Sequence, residues 1–424
     1  MKLNPDKFAT ESRKATKNFV LFKVLASVAI VFFGCLETNK PDRNIENSSS
    51  VNETASGEII IEGEPAFQVS FKRDATFGDS EEVYFRFMGN ISVDENNRVF
   101  ISERNHIKVF DQDERFITSL GRQGRGPGEF NNFGGLQPKI AFGRLYAFDD
   151  VEQRINVYNL SNLEFEGTIP INSINWNYLP ELEESRFENY FIAGDSLILA
   201  GLNEIGGTQT NRVSTRRYFY MDNKGKIISE EIFSHPDNGF YDGNGVPPPI
   251  SPRSPVPKPS DRNSIIDVNE DGQIYWAWSE KIIIKVFDTT GSKLRTLIYP
   301  FENNLLDKEE VLEVFEYNPN LHQRAKNEDI PDTWPAMDYF FVDDENRIWI
   351  STISDNDDYF EWMVVSDKGA YLAKFKWKGI RKERHYSQRE IKMVRNNYLY
   401  TKELNDETSQ NEIVRYRIEF EESQ

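Results

Sequence analysis

Four histidines, one cysteine and a surplus of carboxylates limit the chemistry open to this 424-residue chain. His106, His235, His322 and His385 lie far apart, and none belongs to a paired-histidine motif of the kind that holds zinc. No Gly-x-Ser-x-Gly elbow is present, so serine hydrolase chemistry lacks its usual nucleophile. Cys35 stands alone, which excludes disulfides within the chain and zinc sites built from cysteines. In "SDNDDYFE", Asp355, Asp357 and Asp358 alternate hard oxygen donors along a short loop, a candidate Ca2+ cluster without the glycine and distal glutamate of EF-hand spacing.

A second candidate is cationic. "GRQGRGPGEF", Gly121 to Phe130, supplies Arg122 and Arg125, and with Arg104 and His106 these make a candidate anion site. The stretch lacks the Gly-Lys-Ser/Thr ending of a phosphate loop. Two readings stand. The loop binds a ligand, or it is a connector whose glycines permit positive φ and whose charges are neutralised by Asp149, Asp150 and Glu152. Trp176, Tyr178, Tyr241 and Trp334 are candidates for stacking on a sugar or gripping a peptide, and the alternative for each is to anchor a loop. With 69 acidic against 50 basic residues and a net charge of −19, a grip on nucleic acid backbone is not expected.

The amino-terminal 35 residues differ in character from the rest. Six basic residues accompany the apolar run "VLASVAIVFFG", which is too short to span a bilayer. Removing this segment, with its six basic and two acidic residues, would take the net charge from −19 to −23. Cys35 directly follows "VFFG", and the junction resembles the lipobox of bacterial lipoproteins, with Phe32 in place of the usual Leu. The resemblance implies lipidation of Cys35 and tethering to a membrane outside the cytoplasm; an uncleaved anchor from Phe19 to Leu36 is the alternative. Residues 36–57 are polar and rich in Ser and Asn, the composition of a flexible tether.

Internal repetition organises the remainder, residues 58–424. "ISVD", "RVFIS", "HIKVFD" and "FITSL" between Gly89 and Gly121 read as four strands, with alternating apolar residues and turn residues between them. The same grammar returns from Ile266 to Tyr299 and from Phe341 to Trp377, with three weaker copies elsewhere. Phe100, Tyr146, Ile198, Tyr275, Trp349 and Tyr400 take equivalent second-strand places, at intervals of 46, 52, 77, 74 and 51 residues. Four-stranded units at that spacing predict propeller blades, with insertions at about 233–263 and 300–337.

The first unit together with "GRQGRGPGEF" resembles an NHL-type repeat of a six-bladed β-propeller. The expected fold is therefore all-β, six four-stranded antiparallel blades. The last copy lacks a fourth strand, so "EIIIEG" or "AFQVSF" is expected to close the ring beside Ile413 to Phe420. Relatives of that family include binding scaffolds, lactonases and lyases, the enzymes with metal in the central channel. The implied functions are an exported, lipid-anchored scaffold in the cell envelope for a protein, peptide or saccharide; an enzyme with a divalent cation near the channel; or a structural subunit of an envelope complex. In a four-stranded blade the loop between strands two and three shares a face with the link to the next blade. The basic cluster and both insertions are thus expected on that face.

Overall fold

The computed structural model describes residues 52–53, 57–78, 83, 85, 87–131, 136–171, 185–204, 215–236, 240–241, 256–383 and 390–423. Six antiparallel four-stranded blades follow one another along the chain. Blade 1 runs from Ile91–Val93 through Val99–Glu103 and His106–Phe110 to Phe116–Leu120. Blades 2 to 5 begin at Gln137–Ala141, Ser185–Gly194, Ser264–Val268 and Met337–Val342. Blade 6 takes three strands from the carboxyl-terminal end of the chain, Ile391–Arg395, Tyr398–Leu404 and Asn411–Glu422. Its fourth strand is Phe67–Phe77, antiparallel to the last of these from Phe77 opposite Ile413 to Phe67 opposite Glu422.

Local side chains explain why the hairpins form. In the first turn of blade 1, Asp94 Oδ1 accepts from the backbone N–H of Asn96 and Arg98, each at 2.9 Å, while its Oδ2 takes the Arg98 Nε–H. Asp343 does the same for blade 5, and Asn269 substitutes a neutral version in blade 4. The turns between strands three and four of blades 1, 3 and 4 repeat the device with Asp111, Asp222 and Asp288. Such side-chain-to-backbone bonds are what Asp and Asn contribute to turns. Asn97, Asn346, Asn396 and Asn397 then adopt positive φ, which Asn tolerates.

Packing closes the ring. Six apolar clusters each join one blade to the next, and the last, around Phe77, Val93, Val99, Tyr400 and Ile413, joins blade 6 to blade 1. Phe100, Tyr146, Tyr275, Trp349 and Tyr400 all face the following blade. Ile198 does not: it packs toward blade 2, and its neighbour Leu199 takes the equivalent place. A register shift between Ile192 and Gly194, at the turn just before it, accounts for the difference, since a one-residue slip reverses the face of every side chain.

Of the two candidate closing segments, "AFQVSF" leads into the strand beside Ile413 to Phe420, and "EIIIEG" pairs elsewhere. Glu58–Ile60 adds in parallel to the outer strand Lys293–Tyr299 of blade 4, and Phe67 pairs with Ala373 of blade 5 before its strand completes blade 6. The leading segment is thus a strap along the rim of three blades, with Ile59 and Ile61 buried in the core between blades 4 and 5. Among the described residues no helix is long and apolar enough to cross a membrane.

Candidate functional site

The basic loop on the link face is built as a brace between blades 1 and 2. Phe130 is fully buried in the core between the two blades, and the Phe130 N–H donates to Arg122 O at 2.8 Å. Gly121 and Gly128 take φ of about 70°, and an added Cβ at Gly121 would strike the Phe130 ring at 2.4 Å. Glu129 holds the turn from within. Its carboxylate accepts from Gly126 N–H at 2.7 Å and from Arg122, two contacts that lower its pKa. Blade 2 grips the same loop through Arg154, Asn156 and Tyr158, which donate to the carbonyls of Arg125, Glu129 and Gly128.

The four cationic residues have separate surroundings. Arg125 pairs with Glu152 of blade 2 at 3.1 Å and Arg122 with Glu129, both arginines being about four-fifths exposed (78% and 81%). His106 lies 3.2 Å from Glu103; burial pushes the imidazole below its ordinary range, opposed by that carboxylate. Arg104 is exposed at positive φ in the strand-two to strand-three turn. The neutralisation expected between blades 1 and 2 therefore forms through Glu152, while Asp149 instead accepts the Asn131 N–H.

The insertion between blades 4 and 5 folds around a core that it shares with Ile353 and Phe360 of blade 5. Helices Lys308–Glu313 and Pro319–Lys326 are capped by Asp307 and Asn318 and pack through Leu312, Phe315, Leu321 and Ala325. Trp334 sits inside this cluster at 0% exposure, beneath the Arg381 guanidinium, so it anchors the insertion and presents no stacking surface. Asp357 pairs with Arg381 at 2.8 Å, which diverts it from the candidate calcium cluster, and Asp355 and Asp358 are exposed beside it. Among the described residues no three His, Cys, Asp or Glu side chains are grouped to hold a metal ion. Tyr241 lies in the short strand Phe240–Tyr241, paired with Val256–Pro257. Cys35, Trp176 and Tyr178 fall outside the described residues.

A cavity of about 650 Å³ lies at the propeller axis, lined by the first strands of all six blades and reaching their first turns. It therefore meets the face opposite to the basic loop. Among the charged side chains on its wall, Lys139 of blade 2 and Asp267 of blade 4 stand in the first strands themselves. Both are partly buried. Burial pushes the Lys139 ammonium below the usual lysine range, opposed by the charge of Asp267. Burial also pushes the Asp267 carboxyl upward, opposed first by the N–H of Val342 and then by the charge of Lys139. Sequence reasoning did not single these residues out. The available signal was a charge in the middle of the first strands "QPKIA" and "SIIDV", which line the axis of a propeller.

Fold and cavity define a six-bladed β-propeller with a charged central channel. The model of the DUF5128 family, described as a 6-bladed beta-propeller, matches residues 80–197. A crystal structure of a DUF4221 family member from Bacteroides vulgatus is similar with a TM-score of 0.50 at 14% identity, covering 84% of this chain and 99% of that one. A candidate exported protein from Bacteroides fragilis gives 0.48 at 11% identity, covering 86% and 100%. At such identities the likeness is one of fold. No curated protein sequence matches the chain.

Proposed function

We propose that this chain is an exported, lipid-anchored propeller that serves in the cell envelope as a binding scaffold for a protein, peptide or saccharide on its link face. The observation that carries this reading is the helical insertion. It is ordered on a core shared with blade 5, and Arg381 fixes it to the rim through a two-pronged pair with Glu310 at 2.8 and 2.9 Å. A propeller does not need such a structure to close its ring, and ordered extensions on a rigid scaffold are where binding surfaces reside. Leu305 and Tyr317 remain exposed on it.

Two experiments test the parts of this proposal. Cys35→Ala is expected to abolish acyl labelling and release the protein from membranes; a native protein that begins at Met1 and carries no acyl chain refutes the anchor. For binding, Arg122→Ala with Arg125→Ala is compared with a second variant in which residues 303–333 are replaced by a Gly-Ser linker. The probes are arrays of envelope saccharides and peptides. The arginine pairs are exposed, so the first variant should melt like the parent. Lost retention on the arrays at unchanged melting temperature, in either variant, supports the link face. Full retention in both removes it.

A further inference from the structure

We propose that the central channel is a binding site for a small amino-carboxylate, with Lys139 taking the carboxylate end and Asp267 the ammonium end. This site lies apart from the link face and does not depend on the function proposed for it.

The argument begins with what buried ions elsewhere in the molecule do. Asp94 is closed onto Arg98 and Asp343 onto Arg347, both within one turn, so their charges are spent on the fold. Lys139 and Asp267 differ. Among the described residues Lys139 forms no ion pair; its ammonium lies over the rings of Phe191 at 4.6 Å and Tyr190 at 5.8 Å. Asp267 accepts one backbone N–H on each oxygen, from Val268 at 2.9 Å and Val342 at 2.8 Å, which fixes the carboxylate and leaves lone pairs over. Two opposite charges therefore share one cavity without closing on each other. Partial burial of a charge without an ion-pair partner carries a cost, and a ligand bearing both complementary charges relieves both costs together.

The surroundings narrow the ligand class. Glu95, Glu270, Asp271 and Asp344 also line the cavity and outnumber its other cations, Lys392 and Arg395, so a simple anion approaching Lys139 meets net repulsion and a polyanion more so. A zwitterion does not carry that penalty. Ile91, Ile192 and Phe341 supply apolar wall for a side chain, and a volume of about 650 Å³ suits a small molecule. At the mouth Arg395 of blade 6 pairs with Glu270 of blade 4 at 2.7 Å, a bond between blades that are not neighbours, which narrows the entrance. Phe142, half exposed and at φ 50°, also lines it, an unusual backbone conformation for a bulky residue.

The test uses the full-length protein in detergent, titrated calorimetrically with glycine, L-leucine and L-phenylalanine, then with L-phenylalaninamide and N-acetyl-L-phenylalanine. At least one free amino acid is expected to bind at millimolar concentration or below. Each blocked analogue of phenylalanine should bind about ten-fold or more weakly, the loss expected for one charge-assisted contact. Lys139→Met should erase the preference for phenylalanine over its amide, and Asp267→Asn the preference over the acetyl derivative. Should either variant fail to fold, acetylation of Lys139 in the parent protein by acetic anhydride, read by peptide mass, should be slowed several-fold by phenylalanine and not by its amide. Absence of both heat and protection with all three amino acids overturns the proposal. So does equal binding of the blocked and free forms.

Discussion

Deleting Glu58 to Phe71 is expected to lower the melting temperature by well over about 10 °C or to prevent folding. The segment supplies the strand added to blade 4 and more than a third of the strand that completes blade 6. With it go Ile59, Ile61 and Phe67, each buried in a core between blades. Three such side chains stabilise by about 5 to 9 kcal/mol together, comparable with the entire net stability of a typical domain. At roughly 2 to 4 °C per kcal/mol the fall in melting temperature would be large. The deletion also exposes the edge of Asn411–Glu422, so aggregation should accompany unfolding. A point variant separates closure from simple loss of chain. Phe77 is fully buried between blades 6 and 1, and Phe77→Ala should cost about 3 to 5 kcal/mol. Calorimetry of both variants decides the matter, and an unchanged melting temperature for the deletion refutes closure by this segment.

The strands were legible because each blade carries the same two signals, period-two alternation and Asp or Asn at the hairpins. The strap was legible in half: a missing fourth strand demands a partner, and the strand that supplies it begins within "AFQVSF". Pattern alone could not show that "EIIIEG" joins blade 4, because parallel addition at an outer edge leaves no turn signature. The candidate site was less legible for a physical reason. Asp94, Asp343 and Asp267 are the same residue type in similar strands, yet the first two are consumed by their own turns and the third faces the axis. Which of these occurs depends on strand register, and a one-residue error, as at Ile198, exchanges core for its opposite face. Arg122 illustrates the same limit. Its partner Glu129 lies inside the loop, where glycine-permitted turns bring the two together.

Asp343→Ala is expected to be among the most destabilising single substitutions in the molecule, at about 3 to 5 kcal/mol, the range for breaking a buried pair by removing one member. The carboxylate is fully enclosed and accepts four bonds, from the N–H of Glu345 at 3.0 Å and Arg347 at 2.8 Å, from Arg347 Nε at 2.6 Å and from Trp349 Nε1 at 2.8 Å. Its loss leaves the buried Arg347 guanidinium, which lies over the Phe420 ring of blade 6 at 5.5 Å, with the half-exposed Glu345 at 3.1 Å as its ion-pair partner, and leaves the Trp349 N–H without its acceptor. Two comparisons make the prediction specific. Asp111 performs the same turn function in an exposed hairpin without a buried arginine, so Asp111→Ala should cost about 1 kcal/mol. The double variant Asp343→Ala with Arg347→Met removes the stranded charge as well and should recover much of the loss, because the two residues act as one unit. Equilibrium denaturation of the three variants gives the order. If Asp343→Ala costs no more than Asp111→Ala, or the double variant falls below the single one, the pair is not what holds the first turn of blade 5 against blade 6.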